Sequence, residues 1–202
     1  MIKCAKEMRA TAAAALKGKW GGAVLATLVL FIVSGVASAI LGIIPGLNIV
    51  AVIATVILGA GLEVALLTLL RTGEQVQAGC IFDFFKESRL WVTILLMYVY
   101  TFLWTLLLIV PGIIKGFSYA MTPFILKDNP NMKNNEAIEL SMAMMDGHKW
   151  DLFCLELSFI GWALLCILTL GIGYLWLSPY MYASYAAFYE DVKAEFASKA
   201  AA

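Results

Sequence analysis

Charged side chains are scarce in this chain. Asp, Glu, Lys and Arg together make up 14% of its 202 residues, against about a quarter in an ordinary soluble domain. Basic and acidic residues balance at 14 each, so no net positive field exists to attract nucleic acid. The single histidine, His148, is too few for a His-rich metal site, and no HExxH pair occurs. It lies in the polar segment Gly147-His148-Lys149-Trp150, the wrong surroundings for the base of a serine protease. A Gly-rich phosphate loop ending in Gly-Lys-Ser/Thr is missing, as is a row of arginines, which argues against ATP hydrolysis and voltage sensing. The four cysteines, Cys4, Cys80, Cys154 and Cys166, show neither CxxC nor ligand-like spacing. No catalytic residue, metal site or cofactor is expected, and the chain reads as non-enzymatic.

What is abundant is apolar surface. Hydrophobic residues make up 62% of the chain and the mean hydropathy is +0.88, which excludes intrinsic disorder and points to an integral membrane protein. Three stretches carry no charge: Trp20–Leu62, Leu90–Ile114 and Leu157–Tyr189. A spanning helix needs roughly 20 apolar residues, so the first and third stretches hold two spans each. Glycine and proline suit tight turns between such helices. They fall at Ile44-Pro45-Gly46-Leu47-Asn48, at Val110-Pro111-Gly112 and at Leu170-Gly171-Ile172-Gly173.

The expected fold is all-α and polytopic, with six transmembrane helices in three hairpins: 20–42 with 47–70, 90–110 with 113–127, and 152–170 with 173–190. The fourth helix is short and carries Lys115 and Pro123, so it reads as a short span or a re-entrant segment. Lysine and arginine placement favours the span. With the N-terminus inside, thirteen basic residues lie within and Lys115 alone lies outside; without a fourth crossing the division is eight against six. Both termini are therefore expected in the cytoplasm. Cys4, Cys80 and Cys154 then lie at or near the reducing side, and no disulfides are expected. A secretory signal ending at Ala37-Ser38-Ala39 is the competing reading of the N-terminus, but apolar sequence continues straight past it.

The expected boundaries within one membrane domain, 1–202, are a basic N-terminal helix (1–19), hairpins at 20–70, 90–127 and 152–190, an interfacial loop (71–89), a cytoplasmic helix within 128–151 and a tail (191–202). Residues 80–89 place Ile81, Phe84 and Phe85 on one side and Asp83, Lys86 and Glu87 on another, the spacing of a short interfacial helix. Residues 135–146 repeat the plan, capped by Asn134 or Asn135 and ended by Gly147. Their apolar side (Ile138, Leu140, Ser141, Met142, Met144, Met145) either lines an adaptable groove or packs on the protein's own helices or the membrane surface. Trp20, Trp91, Trp150 and Trp176 fall near the span ends as an aromatic belt.

Ionisable residues within spans are candidate functional groups by default. Glu63 lies eight residues from Arg71, and Glu156 four past Leu152, so the two carboxylates share the inner half of the bilayer and can approach one another. Lys115 lies nearer the outer end. One reading makes Glu63 and Glu156 a polar site for a cation, a proton or a lipid headgroup; the other has both satisfied by neighbouring hydroxyls. His148 and Lys149 read either as a contact for lipid phosphate or as a helix junction. Pro179 predicts a kink in the last helix and a freed carbonyl near Tyr182 or Tyr185.

Leu16-Lys17-Gly18-Lys19-Trp20, Ile109-Val110-Pro111-Gly112-Ile113-Ile114-Lys115-Gly116, Gly147-His148-Lys149-Trp150, and Gly171-Ile172-Gly173-Tyr174-Leu175-Trp176 with Pro179-Tyr180 and Phe188-Tyr189 together resemble the multi-pass family called "domain of unknown function nine-seven-five". The Pro-Gly-Ile segment is also distantly similar to the membrane domain attached to some glycerophosphodiester phosphodiesterases; the chain has no catalytic domain of that kind. The resemblance implies a prokaryotic inner or plasma membrane protein and supplies no catalytic residues. The expected role is a non-enzymatic membrane module, with the cytoplasmic face as its contact surface. Its partners are the lipid bilayer and a lipid, a small hydrophobic ligand, a membrane protein or a second copy of the chain (a homo-oligomer), with nucleic acid excluded. The competing role is a small transporter or proton-coupled channel using Glu63 and Glu156, which a polar cavity beside Glu63 would favour.

Overall fold

A computed structural model describes residues 4–43 and 47–200, and every regular element among them is helical. The first three helices are α1 (Ala5–Leu16), α2 (Trp20–Leu41) and α3 (Asn48–Thr72). A 3-10 turn (Ala78–Phe82) and the single-turn α4 (Asp83–Lys86) lead into α5 (Ser88–Leu107) and α6 (Ile109–Tyr119). Then come α7 (Thr122–Asp128), α8 (Asn134–Met144), α9 (Lys149–Leu157), α10 (Ile160–Leu168) and α11 (Tyr174–Ala200). The turn expected at Ile44-Pro45-Gly46 and the side chain of Phe84 lie outside the described residues.

Five segments are long and apolar enough to cross a membrane: Trp20–Leu41, Asn48–Thr72, Arg89–Leu107, Ile109–Asp128 and Lys149–Leu168. The expected sixth, α11, is not among them. It packs against α1, α2, α3, α8 and α10. Its buried positions include the small or polar residues Ala183, Ser184, Ala186 and Ala187. It runs on to Ala200, so residues expected as a tail are helical. It also passes through Pro179 without interruption. The carbonyl that loses its donor there belongs to Leu175, one turn earlier, not to a group near Tyr182 or Tyr185.

The second hairpin turns three residues earlier than its Pro-Gly pair suggests. Leu108 is extended (φ −157°, ψ 136°), and Val110-Pro111-Gly112 falls in the first turn of α6. First-turn N–H groups have no partner within a helix, so proline costs little there. Gly112 is required because Thr105 of α5 occupies the space a Cβ would fill. The fourth candidate span thus grows to 20 residues, Ile109–Asp128. It breaks between α6 and α7, where Ser141 of α8 supplies the missing partners: its Oγ accepts from the Met121 N–H (3.2 Å) and donates to the Ser118 carbonyl (2.8 Å). The fifth candidate span breaks similarly at Ser158, whose carbonyl accepts from Arg9 Nη1 (3.1 Å).

The remaining polar segments are drawn into the bundle. The basic N-terminal helix buries Met8, Ala12 and Leu16. The connector after α3 folds back along that helix. Val76 presses its carbonyl on Gly22 of α2, and Ile81 presses its own on Gly61 of α3. Gly61 lies ten residues, about 15 Å of helix, from Arg71. α8 is capped at Lys133, whose N–H donates to the Glu136 carboxylate (3.0 Å), not at Asn134 or Asn135. Met144 and Met145 are buried in the main core, so the methionine stripe packs on the protein's own helices. The four cysteines are unpaired.

Candidate functional site: an acidic cavity among five helices

Between α3, α5, the α6–α7 segment, α9 and α11 lies a cavity of about 400 Å³. Helix periodicity builds it. Thr55, Gly59 and Glu63 recur at four-residue spacing on one face of α3, Tyr98 and Thr101 at three on α5, and Tyr182 and Tyr185 at three on α11. α6 adds Tyr119, and α9 adds Glu156. The two carboxylates therefore share one cavity. Tyr98 and Glu156 are exposed and form the open side, whereas Tyr119 is buried and Glu63, Tyr182 and Tyr185 are half-buried.

The lining contains no lysine, arginine or histidine. Tyr185 and Glu156 line the same space, and Tyr182 packs edge-on to Tyr185 with ring centroids 6.3 Å apart. Among the described residues no hydrogen bond or ion pair reaches Glu63. The Thr55 and Thr101 hydroxyls donate to carbonyls of their own helices, Ala51 (2.9 Å) and Met97 (2.9 Å), which leaves them as acceptors. Lys115 sits beside the cavity but outside its lining. Its ammonium lies over the rings of Trp104 (5.2 Å) and Tyr119 (6.0 Å) and 3.6 Å from the Met142 sulfur.

His148 and Lys149 belong elsewhere. His148 caps α9, with Nδ1 3.4 Å from Asp151 Oδ2 and Nε2 3.5 Å from Glu195 Oε1. Two carboxylates beside the ring make a poor setting for a phosphate. The Lys199 ammonium, bonded to Glu195 at 2.9 Å, holds that carboxyl below its ordinary range and keeps it anionic. Lys149, the first residue of α9, is half-buried.

Two groups escape the sequence reading. The tyrosines and threonines of the cavity are one; their signal is the recurrence of hydroxyl-bearing residues at helical spacing within apolar runs. The other is a polar clamp that joins the C-terminal ends of α3 and α7 to the later half of α11. Arg71 grips Asp128 through two bonds (2.6 and 2.8 Å) and Glu190 through a third (2.5 Å), while Tyr189 and Lys193 also donate to Asp128 (2.8 and 2.5 Å). Phe124 stacks on Tyr189 at 5.1 Å. The partners are some 57 to 119 residues apart in the chain, so no local pattern reveals them. No group of three or more metal-ligating His, Cys, Asp or Glu side chains occurs among the described residues.

A profile described as "Protein of unknown function (DUF975)" matches residues 1–115 and 97–195. No curated protein and no solved structure matches. The likeness to the membrane domain of glycerophosphodiester phosphodiesterases is not shown by these matches.

Proposed function

The chain belongs to the DUF975 family, proteins of unknown function, and from that premise we propose that it is a non-enzymatic, six-span protein of a prokaryotic inner or plasma membrane, with both termini in the cytoplasm. In this reading α11 is the sixth span, shielded from lipid by the helices around it. The cavity is an intramembrane binding site at which Glu63 and Glu156 take up a positively charged species, a proton or a cation, for movement across the bilayer.

The observation that carries the proposal is the convergence of Glu63 from α3 and Glu156 from α9 on one cavity whose lining has no basic side chain. An ionised side chain at the bilayer centre costs roughly 2.5–3.5 kcal/mol to insert. Two of them without a lining counter-charge are best accounted for by an occupant that supplies one. The protein reconstituted in vesicles is expected to dissipate an imposed proton gradient, and Glu63→Gln to slow that flux by about tenfold or more. Absence of proton flux and of any cation flux in the parent at every pH would dispose of the transport reading.

A second reading, a lipid or small hydrophobic ligand, has its own support in an apolar groove of about 440 Å³ that includes Trp20, Trp162, Trp176 and Tyr180. The cytoplasmic contact surface is left with less material, because Met144 and Met145 are committed to the core.

A further inference from the structure

We infer that the cavity is selective for a small organic ammonium ion carrying an aromatic or comparably compact apolar body. This deepens the reading of the cavity as a cation site and rests on it.

Three features of the cavity select that chemistry over a bare inorganic cation. The first is size. At about 400 Å³ the cavity falls in the range of small-molecule sites, roughly 300–1,000 Å³. A bare metal ion is held instead by several oxygens at about 2–2.6 Å. The second is the ring content. Tyr98, Tyr119, Tyr182 and Tyr185 line a single space, and aromatic faces attract quaternary and protonated amines more strongly where water is excluded. One of the four, Tyr119, already has an ammonium beside its ring, since Lys115 Nζ sits 6.0 Å from its centroid.

The third is the distribution of charge. The carboxylates stand at different depths, Glu156 at the open side and Glu63 among the half-buried tyrosines. An ammonium entering the mouth meets Glu156 first and comes to rest where Glu63 has no partner from the described residues. The remaining lining, with Val56, Ala60, Ile94, Met97 and Phe124 among it, then faces the apolar body. Thr55 and Thr101, acceptors only, suit a donor headgroup and offer nothing to an anion.

The probe pair that tests the inference is phenyltrimethylammonium and its uncharged carbon isostere, tert-butylbenzene, titrated into the full-length protein in detergent micelles. Binding is read by calorimetry, and thermal unfolding checks that each variant is folded. The charged probe is expected to bind saturably and the neutral one about tenfold or more weakly. Glu63→Gln and Tyr182→Leu should each weaken the charged probe by about tenfold, while Tyr182→Phe, which keeps the ring, should stay within about threefold of the parent. Equal binding of both probes, insensitive to Glu63→Gln, would overturn the ammonium selectivity and leave a hydrophobic-ligand cavity. No binding of either probe beside intact, Glu63-dependent proton flux would overturn it in favour of a site for protons alone, with the transport reading standing. Loss of both binding and flux in the folded parent would sink the two together.

Discussion

Asp128 accepts four hydrogen bonds, two from Arg71 and one each from Tyr189 and Lys193. Its side chain is 9% exposed, whereas Arg71 is 33% and Lys193 46% exposed. The bonds therefore differ in worth. Truncating Asp128 leaves a half-enclosed guanidinium and a tyrosine hydroxyl short of their acceptor; truncating Lys193 removes only a solvated partner. Asp128→Ala is expected to destabilise the protein by about 2–3 kcal/mol and Lys193→Ala by less than about 1 kcal/mol, read as shifts in thermal unfolding in micelles. Equal, small effects would show that Asp128 contributes no more than an exposed ion pair. This residue was legible in the sequence only as a charge next to Lys127, because its four bonds come from helices that meet in space but are far apart in the chain.

At the scale of elements, the connector between α3 and α5 depends on two glycines. A Cβ on Gly22 would lie 2.5 Å from the Val76 carbonyl oxygen, and one on Gly61 would meet the Ile81 carbonyl, whereas Gly21 faces open space. In a helix, glycine is ordinarily the weaker choice, by roughly 0.5–1 kcal/mol against alanine. The sign of the substitution should therefore depend on position. Gly21→Ala is expected to stabilise by about 0.5 kcal/mol, and Gly22→Ala and Gly61→Ala to destabilise by about 1–3 kcal/mol as the connector is pushed off its seat. Denaturant or thermal midpoints of the three variants check this directly. Pro111 makes a related point in the opposite direction. Read along the chain it marks a turn, yet in the fold it occupies helix α6, at one of the few helical positions that need no N–H.

For the molecule as a whole, burial is uneven along the helices. The core gathers where α1, α8 and the later halves of α3 and α11 meet. The opposite end exposes Leu106 to Val110, Leu168 at 80% and Leu170 at 94%. A continuous apolar surface of that kind is untenable in water and ordinary against hydrocarbon. The exposed apolar end belongs to the segments with almost no basic residues, and the tight end gathers Arg71, Arg89, Asp128 and Lys193. The proposed orientation places this charged end in the cytoplasm. A membrane-impermeant thiol reagent applied to intact cells should leave a cysteine added after Ala202 unlabelled until the membrane is permeabilised. Labelling from outside would reverse the orientation or remove a crossing.

The sequence by itself determined the helical, strongly apolar character of the protein and the extents of α2 and α3 to within a residue or two, because uncharged runs and the length needed to span a bilayer are read locally and need no knowledge of neighbours. It also marked Glu63 and Glu156, since an acid within an apolar run is conspicuous wherever the helix goes. Only the tertiary structure decided that those two acids open on the same space, that four tyrosines surround them, that His148 faces carboxylates, and that the connector near Ile81 folds into the bundle. Each of these depends on which helix faces lie against one another, and that is settled by side-chain packing between segments far apart in the chain, where composition and periodicity carry no information about the partner.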